Sequence, residues 1–220
     1  MVPVTAPWLV RARYPVAVTQ APFTILEGPL VRLRPLATGD VEPLTSIALA
    51  HPHEYRLTST PATREQAEAY FARAFREMAE GTSLVVAVEE QPSGRLLGST
   101  RLTEIDPRHR RCELGYTWYR PDAFNSGVNV DCKRLMLAYA FEQLELVRVQ
   151  IHTDVRNVRS QRAIRALGAR YEGVLRRHMI TKDGEIRDTM VFAVTDEDWA
   201  HVRTTLEERL ARRLQGPTRA

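Results

Sequence analysis

A chain of 220 residues, 44% hydrophobic and 26% charged, can bury one sizeable core, is too short for two comfortable domains, and has the composition of an ordinary soluble globular protein. The formal net charge of +4 is concentrated near the ends, in Arg11, Arg13, Arg209, Arg212, Arg213 and Arg219. With no nucleic-acid motif behind it, that excess reads as solvated termini rather than a nucleic-acid interface, and no apolar run is long enough to span a bilayer, so no membrane is expected.

Residues 1–22 carry four prolines and no clean period, and are expected to form an extended arm. Pro3, Pro7 and Pro15 break the segment, and Arg11 and Arg13 sit inside its apolar run, which makes a poor signal peptide. Phe23–Leu26 is a candidate short strand, Gly28-Pro29 a turn, and Leu30–Leu36, with basic residues between apolar ones, a half-buried strand. Thr38-Gly39-Asp40 opens a helix to about Ala50, and His51-Pro52-His53 stops it. A loop over 51–62 leads to Thr63, a helix cap with Gln66 three residues on. The helix over 64–80 shows Ala67, Tyr70, Phe71, Ala74, Phe75 and Met78 at spacings of three and four, so one face is buried.

Ser83–Val88 is a buried strand, Pro92–Arg95 a turn, and Leu96–Ile105 its antiparallel partner. A basic turn over 107–111 leads to Cys112–Tyr119, expected to pair antiparallel with Leu96–Ile105. The loop Phe124-Asn125-Ser126-Gly127-Val128-Asn129 joins that strand to a helix over 130–144 that is apolar nearly all round and therefore buried. Val147–Thr153 alternates as a strand, and a helix follows from about Asp154 to Gly168. Arg170–Ile180 and Ile186–Val194 form a hairpin around Lys182-Asp183-Gly184, and Thr195 caps a last helix over 196–213 with acids in its first turn and arginines in its last. The order β α α β β β α β α β β α implies a mixed α/β (α+β) sheet with helices on both faces, in a single domain over 23–213 followed by a tail over 214–220.

Cys112 and Cys132 lie on different elements without metal-like spacing. They support neither a disulfide framework nor a metal site, and a reducing, cytoplasmic setting is expected.

A strand–loop–helix unit with a glycine in the loop presents unpaired backbone N–H groups and a partial positive charge, which suits a phosphate. Taken alone, the single Gly127 fits a plain tight turn better than a phosphate site. The segments LEGPLVRLRPL, ELGYTW, FNSGVN, DVRNVRSQRAIRALGA and HMITKDGEIRDTMVF, spread over residues 24–200, together resemble the GNAT superfamily of acetyl-CoA-dependent N-acetyltransferases, and within it the RimJ/RimL-like branch. The resemblance implies a mostly antiparallel twisted sheet with acetyl-CoA in a V-shaped gap between the strands at 112–119 and 147–153. It implies that Phe124, Asn125, Ser126, Gly127, Val128 and Asn129 stand in for the family's (Gln/Arg)-x-x-Gly-x-(Gly/Ala) loop, which holds the pyrophosphate through backbone N–H groups. Phe124 departs from Gln/Arg, and Asn129 from a small residue.

For the base that takes the amine proton, the resemblance points to Glu113, otherwise a surface carboxylate beside Arg111, with His152 and His178 as rivals. Asn157 reads as a helix cap; the resemblance adds a bond to the pantetheine arm or an active-site water. Many members place a thiolate-protonating tyrosine seven residues on. Here that position is Ile164, so the role of acid passes to Ser160, otherwise an exposed first-turn serine. Arg159, Arg162 and Arg165 read as a solvated stripe, with Arg162 the candidate for the 3′-phosphate of CoA. Trp118, Tyr116 and Tyr119 are expected to pack the sheet, one of them lining the acceptor pocket.

The expected activity is direct acetyl transfer to a primary amine in a ternary complex, with acetyl-CoA as co-substrate and no metal. The RimJ/RimL resemblance implies a protein N-terminus as the acceptor; a small-molecule amine (polyamine, amino acid or antibiotic) and a non-catalytic CoA-binding regulatory module are the alternatives. The N-terminal arm and the late hairpin leave room for a homodimer.

Overall fold

The computed structural model describes residues 23–215. The expected arm over 1–22 and the tail beyond 215 lie outside them. Eight strands form one sheet: β1 (Leu26–Glu27), β2 (Val31–Pro35), β3 (Leu84–Glu90), β4 (Leu96–Asp106), β5 (Arg111–Tyr119), β6 (Arg148–Asp154), β7 (Arg170–Ile180) and β8 (Ile186–Thr195). Five helices accompany them: α1 (Val41–Ala50), α2 (Arg64–Ala79), α3 (Val128–Ala138), α4 (Val158–Arg165) and α5 (Asp196–Leu214). The strand order is β1-β2-β3-β4-β5-β6-β8-β7, and the pairing is antiparallel except between β5 and β6.

Both faces of the sheet are covered because its central strands are apolar on both. Val85 packs with Leu44, Ala48, Ala67, Phe71 and Ala74 of α1 and α2, while its neighbour Val86 points the other way into a larger core with α3, α4 and α5. The Thr63 hydroxyl accepts from Gln66 N–H at 3.2 Å, so α2 starts where its capping residue places it.

Three elements differ from the sequence reading. β1 begins at Leu26, and Phe23 instead sets its ring edge-on to Tyr139 at 5.0 Å. The helix expected over 130–144 starts at Val128, and its last turn, Tyr139–Gln143, widens to a π-turn closed by Leu144 N–H to Tyr139 C=O. This turn lets consecutive residues both engage α5: Phe141 stacks on Trp199 at 5.4 Å, and Glu142 accepts from the Trp199 indole at 3.0 Å. α4 begins at Val158 rather than near Asp154, because Asn157 caps it.

α3 is pinned by one buried carboxylate. Asp131 Oδ2 accepts from the N–H groups of Leu30 (2.9 Å) and Val31 (3.2 Å), and Oδ1 accepts from Arg134 (2.8 Å). Gly28 makes the approach feasible, since a Cβ there would lie 2.3 Å from Asp131 Oδ2. Asp131→Ala would strand two backbone donors at the start of β2, and is expected to cost about 3 kcal/mol by chemical denaturation, with Asp131→Asn losing less.

Candidate active site

β5 and β6 pair only at Arg111–Arg148, Cys112–Val149 and Glu113–Gln150, and then part. β5 is bent away by a bulge: its register against β4 shifts between Ser99 and Arg101, and Tyr116 sits at φ 52°. The Arg101 guanidinium, 1% exposed, lies between the Tyr116 and Tyr70 rings at 4.3 and 4.6 Å, which holds the bulge from behind. The separation opens a cleft of about 820 Å³, from Phe124, Asn125 and Asn129 at one end to His178, Met179 and Arg187 at the other.

The first end is shaped by the loop before α3. Asn125 (φ 60°) and Gly127 (φ 100°) both take left-handed conformations. The left-handed backbone at 127 favours glycine, and a Cβ there would also press on Leu30 Cδ1 at 2.8 Å. The Ser126 hydroxyl donates to Ala123 C=O at 2.7 Å and accepts from Val128 N–H at 3.3 Å. Gly127 and Asn129 N–H have no acceptor among the described residues, and α3 has no side-chain cap. That is the electrostatic arrangement that attracts an anion. Of the six loop residues, Phe124, Asn125 and Asn129 line the cleft; Ser126, Gly127 and Val128 make the turn.

On the α4 side, Asn157 Oδ1 accepts from Ser160 N–H at 3.0 Å, and both residues line the cleft. Ile164 is buried and lines it too, so no hydroxyl occupies that position. Arg159 stacks on the Phe124 ring at 4.5 Å and bonds to the Glu54 carboxylate at 2.8 Å. Arg162 and Arg165 are exposed and do not line the cleft. The loop over 51–62 is drawn across by Lys182, which donates to Tyr55 C=O and Thr60 C=O at 3.1 and 2.5 Å.

The two rival bases prove to be partners. Glu113 Oε2 lies 2.9 Å from His152 Nδ1, and both line the cleft. Room for the carboxylate comes from Gly115, where a Cβ would be 2.6 Å from Glu113 Oε1. His178 sits edge-on to His152 at 6.0 Å, with its Nδ1 3.1 Å from Thr189 Oγ1. Trp118 and Tyr119 are buried and Tyr116 is half-buried; all three line the cleft, and Tyr119 donates to Asn129 Oδ1 at 3.4 Å.

A buried cation completes the wall. Lys133 of α3 is 5% exposed and donates to Thr117 Oγ1 at 2.6 Å; Thr117 in turn lies 2.7 Å from Thr100 Oγ1. Burial pushes the Cys112 thiol up to about 12 and the Cys132 thiol up to about 11, so neither presents a thiolate near neutral pH. Among the described residues no group of acidic, histidine and cysteine side chains is placed to hold a metal ion, and no helix is long and apolar enough to cross a membrane.

The family model described as "Acetyltransferase (GNAT) domain" matches residues 31–170, more than half of the chain. The chain belongs to the GNAT acetyltransferase family. It is similar to YdaF of Bacillus subtilis, whose name gives a provisional assignment as a ribosomal N-acetyltransferase, at 30% identity over 48% of this chain and 57% of that protein. YoaA of the same organism, named an uncharacterized N-acetyltransferase, is 28% identical over 49% of this chain and 59% of its own length. The chain thus matches somewhat over half the length of these curated relatives. A solved acetyltransferase from T. thermophilus is 34% identical with a TM-score of 0.75, covering 86% of this chain and 98% of its own. Mycobacterium smegmatis RimJ, solved in complex with CoA-disulfide, shares the fold at 23% identity and a TM-score of 0.71, covering 84% of this chain and 95% of its own.

Within this GNAT domain, sequence reasoning passed over Lys133, Arg101 and Arg187. Lys133 did leave a signal, a lone lysine inside a helix apolar nearly all round. Burial holds its ammonium down at about 8, from an ordinary value of 10.5. Below about 8 the lysine is charged in both folded and unfolded chains, and the fold bears the whole cost of burying it. Between about 8 and 10.5 the unfolded chain holds a proton that the folded one has released, so this group makes stability rise with pH. Lys133→Met is expected to raise the melting temperature at neutral pH and to abolish that rise, read from thermal unfolding across the window.

Proposed function

We propose that this GNAT domain moves the acetyl group of acetyl-CoA directly to a primary amine in a ternary complex, and that the acceptor is a protein N-terminus. The observation that carries the reading is the parting of β5 and β6 beside a helix start with free N–H groups, in the same cleft as the Glu113–His152 pair. In this reading the loop over 124–129 holds the pyrophosphate through its backbone, and the pantetheine arm lies in the gap past the Asn157 side-chain amide. Arg162, exposed on α4 outside the cleft, meets the 3′-phosphate on the solvent side.

The pair at Glu113 takes the ammonium proton, with His152 oriented by the carboxylate. The free amine attacks the thioester carbon, the C–N bond forms, and the C–S bond breaks. The Ser160 hydroxyl, which lines the cleft, gives its proton to the leaving thiolate and takes in its place the proton that the nitrogen sheds as the amide forms, and the Lys133 cation on the same wall favours the negative charge that develops on sulfur. The raised thiols of Cys112 and Cys132 favour direct transfer over an acyl-cysteine intermediate. The protein acceptor is supported by the name of YdaF and by the loop drawn across the cleft by Lys182, which can wall a peptide.

A second reading, a CoA-binding module without turnover, is favoured by one observation: Ile164 fills the place where the family often carries its proton donor. Calorimetric titration with acetyl-CoA, followed by thiol release against peptides and small amines, separates the two. Transfer predicts saturable binding and thiol release with at least one acceptor, binding without release favours the module, and no binding removes both. Glu113→Gln is expected to lower kcat about 100-fold with acetyl-CoA affinity kept. Ser160→Ala is expected to lower kcat with binding intact; unchanged turnover would remove the serine from the mechanism.

A further inference from the structure

Arg187 is a cation in the cleft wall that the fold does not use. It leaves β8 opposite Met179 of β7 and lines the cleft at the end away from the phosphate loop. Its Nε is shut off from solvent without a hydrogen-bond partner, and its guanidinium makes no ion pair among the described residues. Two carboxylates act on it electrostatically, and both are already engaged. Asp154 accepts from Arg156 N–H (2.8 Å), Nε (3.0 Å) and Nη2 (2.8 Å), and Glu113 faces His152.

Arg32, Arg101 and Arg134 also have a buried Nε without a hydrogen-bond partner, but each of them pairs with a carboxylate. Arg34 grips Asp40 with two nitrogens at 2.7 Å, and Arg148 grips Glu172 at 2.7 and 2.5 Å. A guanidinium carries five donors and cannot discard its charge, so holding one half-buried without an acceptor is costly unless something arrives to take the bonds. Burial draws the Arg187 pKa below its ordinary value, and the pull of Asp154 and Glu113 offsets that burial only in part.

Resting on the reading of this cleft as the amine site, we infer that Arg187 is an acceptor-binding residue that grips a carboxylate carried by the substrate a few bonds from its reacting amine. The acceptor end then has two opposite poles: Arg187 for the carboxylate, and the Glu113–His152 pair for the ammonium. A polyamine would bring its second positive charge against Arg187 and is disfavoured. The carboxylate comes from one of two sources, the α-carboxylate of a free amino acid or an acidic side chain at the start of a peptide.

The test is calorimetry on the full-length protein saturated with CoA, using two matched pairs: alanine against alaninamide, and an amidated peptide beginning Ser-Asp against one beginning Ser-Asn. The acid of at least one pair is expected to bind about tenfold or more tighter than its amide, and which pair does so identifies the source. Arg187→Met should erase the ratio and leave acetyl-CoA affinity unchanged, with Arg187→Gln as a second variant should the first fold poorly. Equal binding of acid and amide in both pairs, or a ratio that survives the loss of the guanidinium, overturns the proposal. The wild-type ratio decides without any variant. Thiol release is read separately on the same probes. An acid that binds through Arg187 without being acetylated supports this subsite and counts instead against amine transfer.

Discussion

The parallel pairing of β5 and β6 ends at Glu113–Gln150, and the rest of the molecule depends on where it ends. A parallel pair buried under helices would ordinarily continue to the end of the shorter strand. Here the bulge at Tyr116 bends β5 away, and a non-glycine residue at φ 52° is sustained because its ring is stacked on Arg101, itself wedged against Tyr70 of α2. Each element around the opening then has a task. α3 points its start at one end, the β7–β8 hairpin closes the other, the loop over 51–62 lies across the cleft between them, and α4 forms a side wall.

Charge placement separates structural from functional groups. Surface arginines such as Arg95 and Arg156 each meet two carboxylates. Asp131, fully buried, has donors for both oxygens and fixes α3 against β2. Lys133 and Arg187 do the opposite. One is buried against a single threonine hydroxyl and the other has no partner among the described residues, and both sit in the cleft wall. In the proposed reading, these two weaken the free fold and gain their compensation when a ligand of opposite charge enters.

The amphipathic period of α2 and its Thr63 cap, the Lys182-Asp183-Gly184 hairpin and the glycine loop were legible because each depends on neighbours within a few residues. The Glu113–His152 pair was not. It follows from the parallel register that sets Glu113 beside Gln150, two residues before His152, and no local pattern encodes a register between distant strands. The arginine stripe on α4 showed that one face is basic but not which member reaches the cleft; Arg159 does, against Phe124 and Glu54, while Arg162 does not. The bend at Tyr116 was hidden for a related reason, since its support comes from Arg101 and Tyr70 on other elements rather than from a glycine.

The measurement that bears most directly on the central claim is a crystal structure of the full chain with acetyl-CoA. The pantetheine arm is expected to thread between β5 and β6 beyond Glu113, with the pyrophosphate against the N–H groups of Gly127 and Asn129. Acetyl-CoA bound elsewhere with the gap between those strands unoccupied, or β5 and β6 zipped together beyond Glu113–Gln150, would contradict it.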